Sequence, residues 1–186
     1  MMDPNLPLSI SSVSVQGASS TRYSFLHSII HPVLSQNPST FNDVLQATTH
    51  ISTALKNTNI FSAVHPSISY PRHPTAGPND VDLIFKTTER GRLRFATNTE
   101  IGTDNEASAS VSLRVHNLFG GAEILEANAS TGNKTPQSFR TLLSVPLSST
   151  MNSIAELSAY GTERDLSAYA SCFQALRGSK LAIRVI

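Results

Sequence analysis

His27 and His31 stand four residues apart, a spacing that puts two imidazoles on one helix face, where a metal ion could bridge them. No glutamate lies beside them as in HExxH, and Pro32 disturbs the turn, so the pair reads as surface histidines. The chain holds 27 serines, six histidines and six aspartates, enough to assemble a Ser/His/Asp triad from composition alone. No G-x-S-x-G places a nucleophile on a strand-to-helix turn. Gly120-Gly121 belongs to neither a GxxxxGK nor a GxGxxG phosphate loop, and a hairpin turn accounts for it. The sequons at Asn128 and Asn133 read as chance matches. The single Cys172 excludes an intrachain disulfide or a multi-cysteine zinc site; its alternation with Ala168 and Ala170 predicts packing on an apolar face. Arg90, Arg92 and Arg94 cluster between Glu89 and Glu100, and a net charge of +1 gives no reason to expect nucleic acid. The sequence thus predicts no enzyme: no catalytic group, no metal and no cofactor.

The elements that carry these residues explain the composition. Charged residues make up 15% of the 186, below the soluble average of about 25%, and 27 Ser with 17 Thr replace them. No apolar run approaches the ~18 residues of a membrane-spanning helix, which leaves membrane β-strands open. The N-terminal MMDPNLPLSISS has neither a basic, apolar-cored signal nor an Arg-rich amphipathic presequence.

Residues 9–17 alternate around Val13 and Val15 and end at a glycine, which predicts a strand. Leu26, Ile29, Ile30, Val33 and Leu34 keep helical spacing, with a kink or early stop expected at His31-Pro32. A second helix should be capped by Ser39 or Thr40, with Asp43 near its positive end and Phe41, Val44, Leu45, Thr48, Ile51 and Leu55 as its stripe. Residues 60–70 read as an edge or bulged strand because of Pro66, and 81–89 as a cleanly alternating one. The result is β-α-α-β-β, two helices over one face of a three-stranded sheet, with an edge open to strand addition.

After Gly91 the period changes to two. Leu93, Phe95, Thr97, Thr99 and Ile101 point one way, and Arg94, Ala96, Asn98 and Glu100 the other. Alternation resumes at 107–116, 125–131, 139–147, 154–161, 166–173 and 180–186, with turns at 102–106, 117–121 and 131–137. Six or seven strands of about ten residues suit a transmembrane barrel with one apolar face and one wet, hydroxyl-rich face. From alternation alone, a soluble β-sandwich fits equally.

These residues resemble the barrel subunit of the mitochondrial sorting and assembly machinery, a member of the BamA superfamily. The opening β-α-α-β-β unit, with its SVSVQG start, is similar to that family's POTRA domain. Residues 91–132 resemble its first three barrel strands. The most specific element is the Asn117-x-Phe119-Gly120-Gly121-x-Glu123 turn, followed by Phe139 and Ser144-x-Pro146-Leu147. The resemblance implies a tail at 1–7, an α+β POTRA domain at 8–90, and at 91–186 the N-terminal, incomplete part of a transmembrane β-barrel of the bacterial-surface-antigen type. It further implies a mitochondrial outer-membrane protein with the POTRA domain in the intermembrane space, working with other subunits of the machinery and the lipid bilayer.

By the same resemblance, β-barrel precursors are the substrate. Their signal strand would pair with the first barrel strand, here Arg92, Leu93, Arg94, Phe95, Ala96, Thr97, Asn98, Thr99, Glu100 and Ile101. Backbone groups left bare in lipid are costly, so a strand that satisfies them needs no dedicated side-chain pocket. The family's arginine-glycine-aromatic loop motif is missing, since Leu176-Arg177-Gly178 lacks the aromatic. Six or seven strands also fall short of the roughly eight of the smallest membrane barrels. The chain is therefore expected to be a truncated form that does not close a barrel alone. The alternative is a soluble POTRA-type module that binds peptides by strand addition.

Overall fold

The computed structural model describes residues 6–71, 77–101, 107–133, 135–148, 151–165 and 172–185. The chain divides into two compact units that meet in sequence at Arg90 and Gly91, where the hydrophobic period changes from mixed to two.

The first unit runs β1 (Ser9–Gln16), α1 (Tyr23–Leu34), α2 (Phe41–Asn57), β2 (Phe61–Ser69) and β3 (Asp80–Glu89). Its sheet has the order β1-β3-β2, with β1 parallel and β2 antiparallel to the central β3. Pro66 lies on the edge strand β2, where a missing N–H costs no ladder bond. Phe85, Leu83, Ile51, Leu55 and Val44 are the largest fully buried side chains, each worth about 1.5–3 kcal/mol of burial. On α2, Leu45 turns outward and Ala47 takes a buried place beside Thr48.

Thr40 is the N-cap of α2. Its hydroxyl accepts a bond from the Asp43 N–H (3.2 Å), while the Asp43 carboxylate accepts from the Thr40 N–H (3.1 Å). The expected stop at His31-Pro32 does not occur, because α1 continues to Leu34. Proline withdraws one bond from the Ser28 carbonyl, and Ser28 is exposed to water, so a single last turn survives. No side chain caps α1; the loop before it is held by Glu89, which accepts from the Ser20 N–H (3.0 Å) and the Thr21 hydroxyl (2.7 Å). Gly17 opens that loop at φ +89°, and a Cβ there would fall 2.1 Å from the Thr87 carbonyl oxygen. The second face of β3 is less open than alternation implies: Asp82 and Ile84 are buried, and the Ser12 hydroxyl donates to Asp82 at 2.6 Å. The end of the expected tail is tied down, since the Phe41 N–H donates to the Leu6 carbonyl and the Leu8 N–H to that of Ser39.

The second unit is an antiparallel meander of β4 (Leu93–Ile101), β5 (Ala107–His116), β6 (Ile124–Gly132), β7 (Gln137–Pro146), β8 (Ser153–Asp165) and β9 (Phe173–Val185), paired in that order. Six strands are present among the described residues of this unit. The stretches 154–161 and 180–185 lie within two thirteen-residue strands, while residue 186, most of 166–173 and the turn 102–106 lie outside the described residues. Cys172 precedes β9 and is exposed, not packed. Two glycines sit opposite aromatic rings, Gly161 against Phe139 and Gly178 against Tyr160.

Candidate functional site

β4 is an edge strand, bonded to β5 on one side, and all nine of its residues are exposed. Register fixes which side chains share a face. Leu93, Val115, Leu125, Leu143, Leu157 and Leu181 form one cross-strand row, an unbroken line of branched apolar residues. Phe95, Thr97, Thr99 and Ile101 continue that face along β4. The other face carries Arg94, Ala96, Asn98 and Glu100, opposite Arg114, Ser112, Ser110 and Ser108. Its charges are partly neutralised across strands, by Arg114–Glu126 at 2.7 Å and Arg184–Glu156 at 3.1 Å. A shallow cleft of about 610 Å³ lies along this end of β4, with Arg94, Arg114, Glu126 and Asn128 in its lining. Sequence reasoning missed these ion pairs, because only the register brings Arg114 opposite Glu126.

The three clustered arginines do separate work. Arg90 donates through Nε to the Phe61 carbonyl (3.1 Å) within the first unit. Arg92 stands just before β4 rather than on it, and its Nη2 donates to the carbonyls of Asn117 (2.8 Å) and Leu118 (2.9 Å). Arg94 projects from β4 beside Arg114 in register. No shared basic patch results.

Arg92 thereby reaches the turn singled out by its residues. Glu123 is 3% exposed, and its Oε2 accepts from the N–H groups of Phe119 (3.1 Å) and Gly121 (2.9 Å). Asn117, 2% exposed, accepts through Oδ1 from the Ala122 N–H (3.0 Å). Positive φ at Asn117 (54°), Gly120 (87°) and Ala122 (65°) bends the chain tightly enough for these bonds. Phe119 is the exception in this closed structure, at 62% exposed. Asn and Gly at such positions are legible in sequence; the inward Glu123 is not.

No three His, Cys, Asp or Glu side chains converge on a metal geometry among the described residues. His27 and His31 stack at 5.1 Å between ring centroids on an exposed face of α1. No described helix is long and apolar enough to cross a membrane, which says nothing of a β-barrel.

No protein-family model matches the chain. It is 25% identical over 183 residues to a SAM50-like protein of Schizosaccharomyces pombe, covering 96% of this chain and 38% of that protein. It is 37% identical over 75 residues to the sorting and assembly machinery component 50 homolog B of Xenopus laevis, covering 40% of this chain and 16% of that one. Among solved structures, BamA from Haemophilus ducreyi lacking POTRA domains 1–3 superposes with a TM-score of 0.68 at 16% identity, over 95% of this chain and 32% of that one. The chain is therefore similar to a SAM50-like protein along nearly its whole length and shares the fold of BamA. CdiB from Acinetobacter baumannii shares the fold at a TM-score of 0.58 and 13% identity. The chain spans well under half the length of the curated relatives and solved structures it matches.

Proposed function

We propose that this chain serves in the machinery that inserts and assembles β-barrel precursors in the mitochondrial outer membrane, with β4 as the strand on which the precursor's signal strand is templated. The observation that carries the reading is β4 itself. It begins an antiparallel sheet, its residues are exposed, and its outer backbone edge is available. In hydrocarbon that edge demands a partner, and an incoming strand supplies one through main-chain bonds. Leu93–Ile101 is the pairing segment, and Arg92 fixes where it starts by gripping the next hairpin turn. The apolar row through Leu93, Val115 and Leu125 faces lipid, and the Ser-rich face lines a hydrated interior.

In this reading residues 8–90 form a POTRA domain in the intermembrane space, and other subunits of the sorting and assembly machinery are partners. Membrane barrels close with about eight strands or more, so the reading includes strand partners for β9 beyond the six described. No covalent chemistry is involved.

The test is disulfide cross-linking in isolated mitochondria. Thr97→Cys is placed in a Cys172→Ser background, because Cys172 is exposed and would report falsely. Adducts with a cysteine in the precursor's signal strand, in a carbonate-resistant chain, are expected. A carbonate-resistant chain without adducts removes the templating role. A chain extracted by carbonate removes the membrane placement and favours a soluble peptide-binding module.

A further inference from the structure

The turn at Asn117–Glu123 is built like a structure meant to leave water. Four backbone N–H groups, of Leu118, Phe119, Gly121 and Ala122, are consumed inside it, the first by the Glu123 carbonyl at 3.3 Å and the others by the Glu123 and Asn117 side chains. The carbonyls of Asn117 and Leu118 are taken by Arg92. Asn117, Gly120, Gly121, Ala122 and Glu123 are all buried. A hairpin tip in water has no need of such closure, because solvent satisfies its backbone at no cost. The turn nevertheless holds Ala122 at positive φ, a conformation that costs about 1–3 kcal/mol at a residue other than Gly or Asn. That expense goes into presenting one large apolar side chain, Phe119, outward on a rigid frame.

We infer that the Phe119 tip is a membrane-interface anchor, docked among lipid headgroups at the end of the sheet where β4 begins. The inference rests on the membrane reading above and adds an occupant for this surface. It follows from continuity: the turn joins β5 and β6 directly beyond the row Leu93, Val115, Leu125, so an aromatic there extends the apolar face into the headgroup layer. Aromatic rings gather at that depth on membrane barrels, and a backbone already satisfied internally enters it without losing hydrogen bonds. The anchor also sets the height of the hairpin and, through Arg92, the level at which β4 enters the bilayer.

The chain contains no tryptophan, so one substitution creates a unique fluorescent reporter. The full chain is prepared as Phe119→Trp, Phe139→Trp (on the apolar face of β7) and Tyr23→Trp (exposed on α1), each reconstituted with phosphatidylcholine vesicles together with a tryptophan-free C-terminal barrel segment of the SAM50-like relative, which supplies strand partners for β9. Bromine is carried on the acyl chains either near the headgroup or near the terminal methyl. Expected is loss of most Phe119→Trp emission with the shallow bromolipid, weaker loss with the deep one, and none for Tyr23→Trp. Quenching of Phe139→Trp with none at Phe119→Trp overturns the anchor and leaves the membrane reading standing, as does deeper quenching at position 119 than at 139. Absence of quenching at both positions overturns the two together.

Discussion

Removing the Glu123 carboxylate should loosen the β5–β6 turn while leaving the strands on either side intact. In Glu123→Ala the N–H groups of Phe119 and Gly121 lose their acceptor. Gly121 is buried, and a buried donor left unpaired costs about 1–3 kcal/mol. The Phe119 N–H lies nearer solvent and can recover a water, so its share is about 0.5–1 kcal/mol. The sum, about 1.5–4 kcal/mol, corresponds to a rise of roughly 10- to 700-fold in local opening, at about 1.4 kcal/mol per tenfold. Amide hydrogen exchange of the full chain in detergent micelles reads this directly at Gly121 and Ala122, with the Leu113 amide in mid-β5 as internal reference. Glu123→Gln keeps an acceptor oxygen but loses its charge, so about a fivefold rise is expected, since charge-assisted bonds exceed neutral ones by about 1 kcal/mol. Unchanged exchange at Gly121 in Glu123→Ala would show that the buried carboxylate does not hold the turn, and the argument for Phe119 as a rigid tip would go with it.

Other outcomes follow from the same reasoning. Gly17→Ala should destabilise the first unit by about 2–4 kcal/mol, because the new Cβ meets the Thr87 carbonyl at a φ of +89°; exchange of the β1 amides checks it, and parent-like protection refutes it. The Thr40 hydroxyl lowers the Asp43 pKa below its ordinary 3.8, helped by the Ser39 and Thr40 N–H groups. The Ser9 hydroxyl lowers that of Asp80 likewise, with the Gly77 N–H second. Both carboxylates therefore contribute stability that is complete above about pH 4 and is lost as pH falls through their lower folded values. Thermal unfolding of the first unit should be flat from pH 5 to 7 and decline below about pH 4, less steeply in Asp43→Asn. The exposed Arg114–Glu126 pair should contribute under about 1 kcal/mol, so a double-mutant cycle with larger coupling would show that the face is drier than it looks.

Much of the second unit was legible because its side-chain period is two: once Leu93 and Phe95 were placed on one face, every later strand through β7 followed with the right face assignment. Legibility failed at Thr162–Asp165, a polar run between the expected strands 154–161 and 166–173. The structure continues the ladder through it, pairing Asp165 with Phe173 and bridging Glu163 to Arg177 at 3.0 Å. Partners that far along the chain make a polar strand end tolerable, and no local pattern announces them. In the first unit the helix stripe and capping box were readable from Thr40, Asp43, Val44, Ile51 and Leu55. The roles of Glu89 and Asp82 were not, since each answers hydroxyls about 70 residues away in sequence. For the candidate site, β4 and the turn were visible as segments. Arg92 looked like a member of the strand, and only its bonds to Asn117 and Leu118 reveal a clamp.

The two glycine–aromatic pairs have a consequence for the protein's history. A side chain at position 161 and the Phe139 ring compete for one space, as do a side chain at 178 and the Tyr160 ring. Because the pairs lie on opposite faces of adjacent strands, they are independent of each other. Each should therefore drift as a couple: a lineage that enlarges position 161 must first shrink or turn away residue 139, and the order of those two steps is not reversible without crossing a clash.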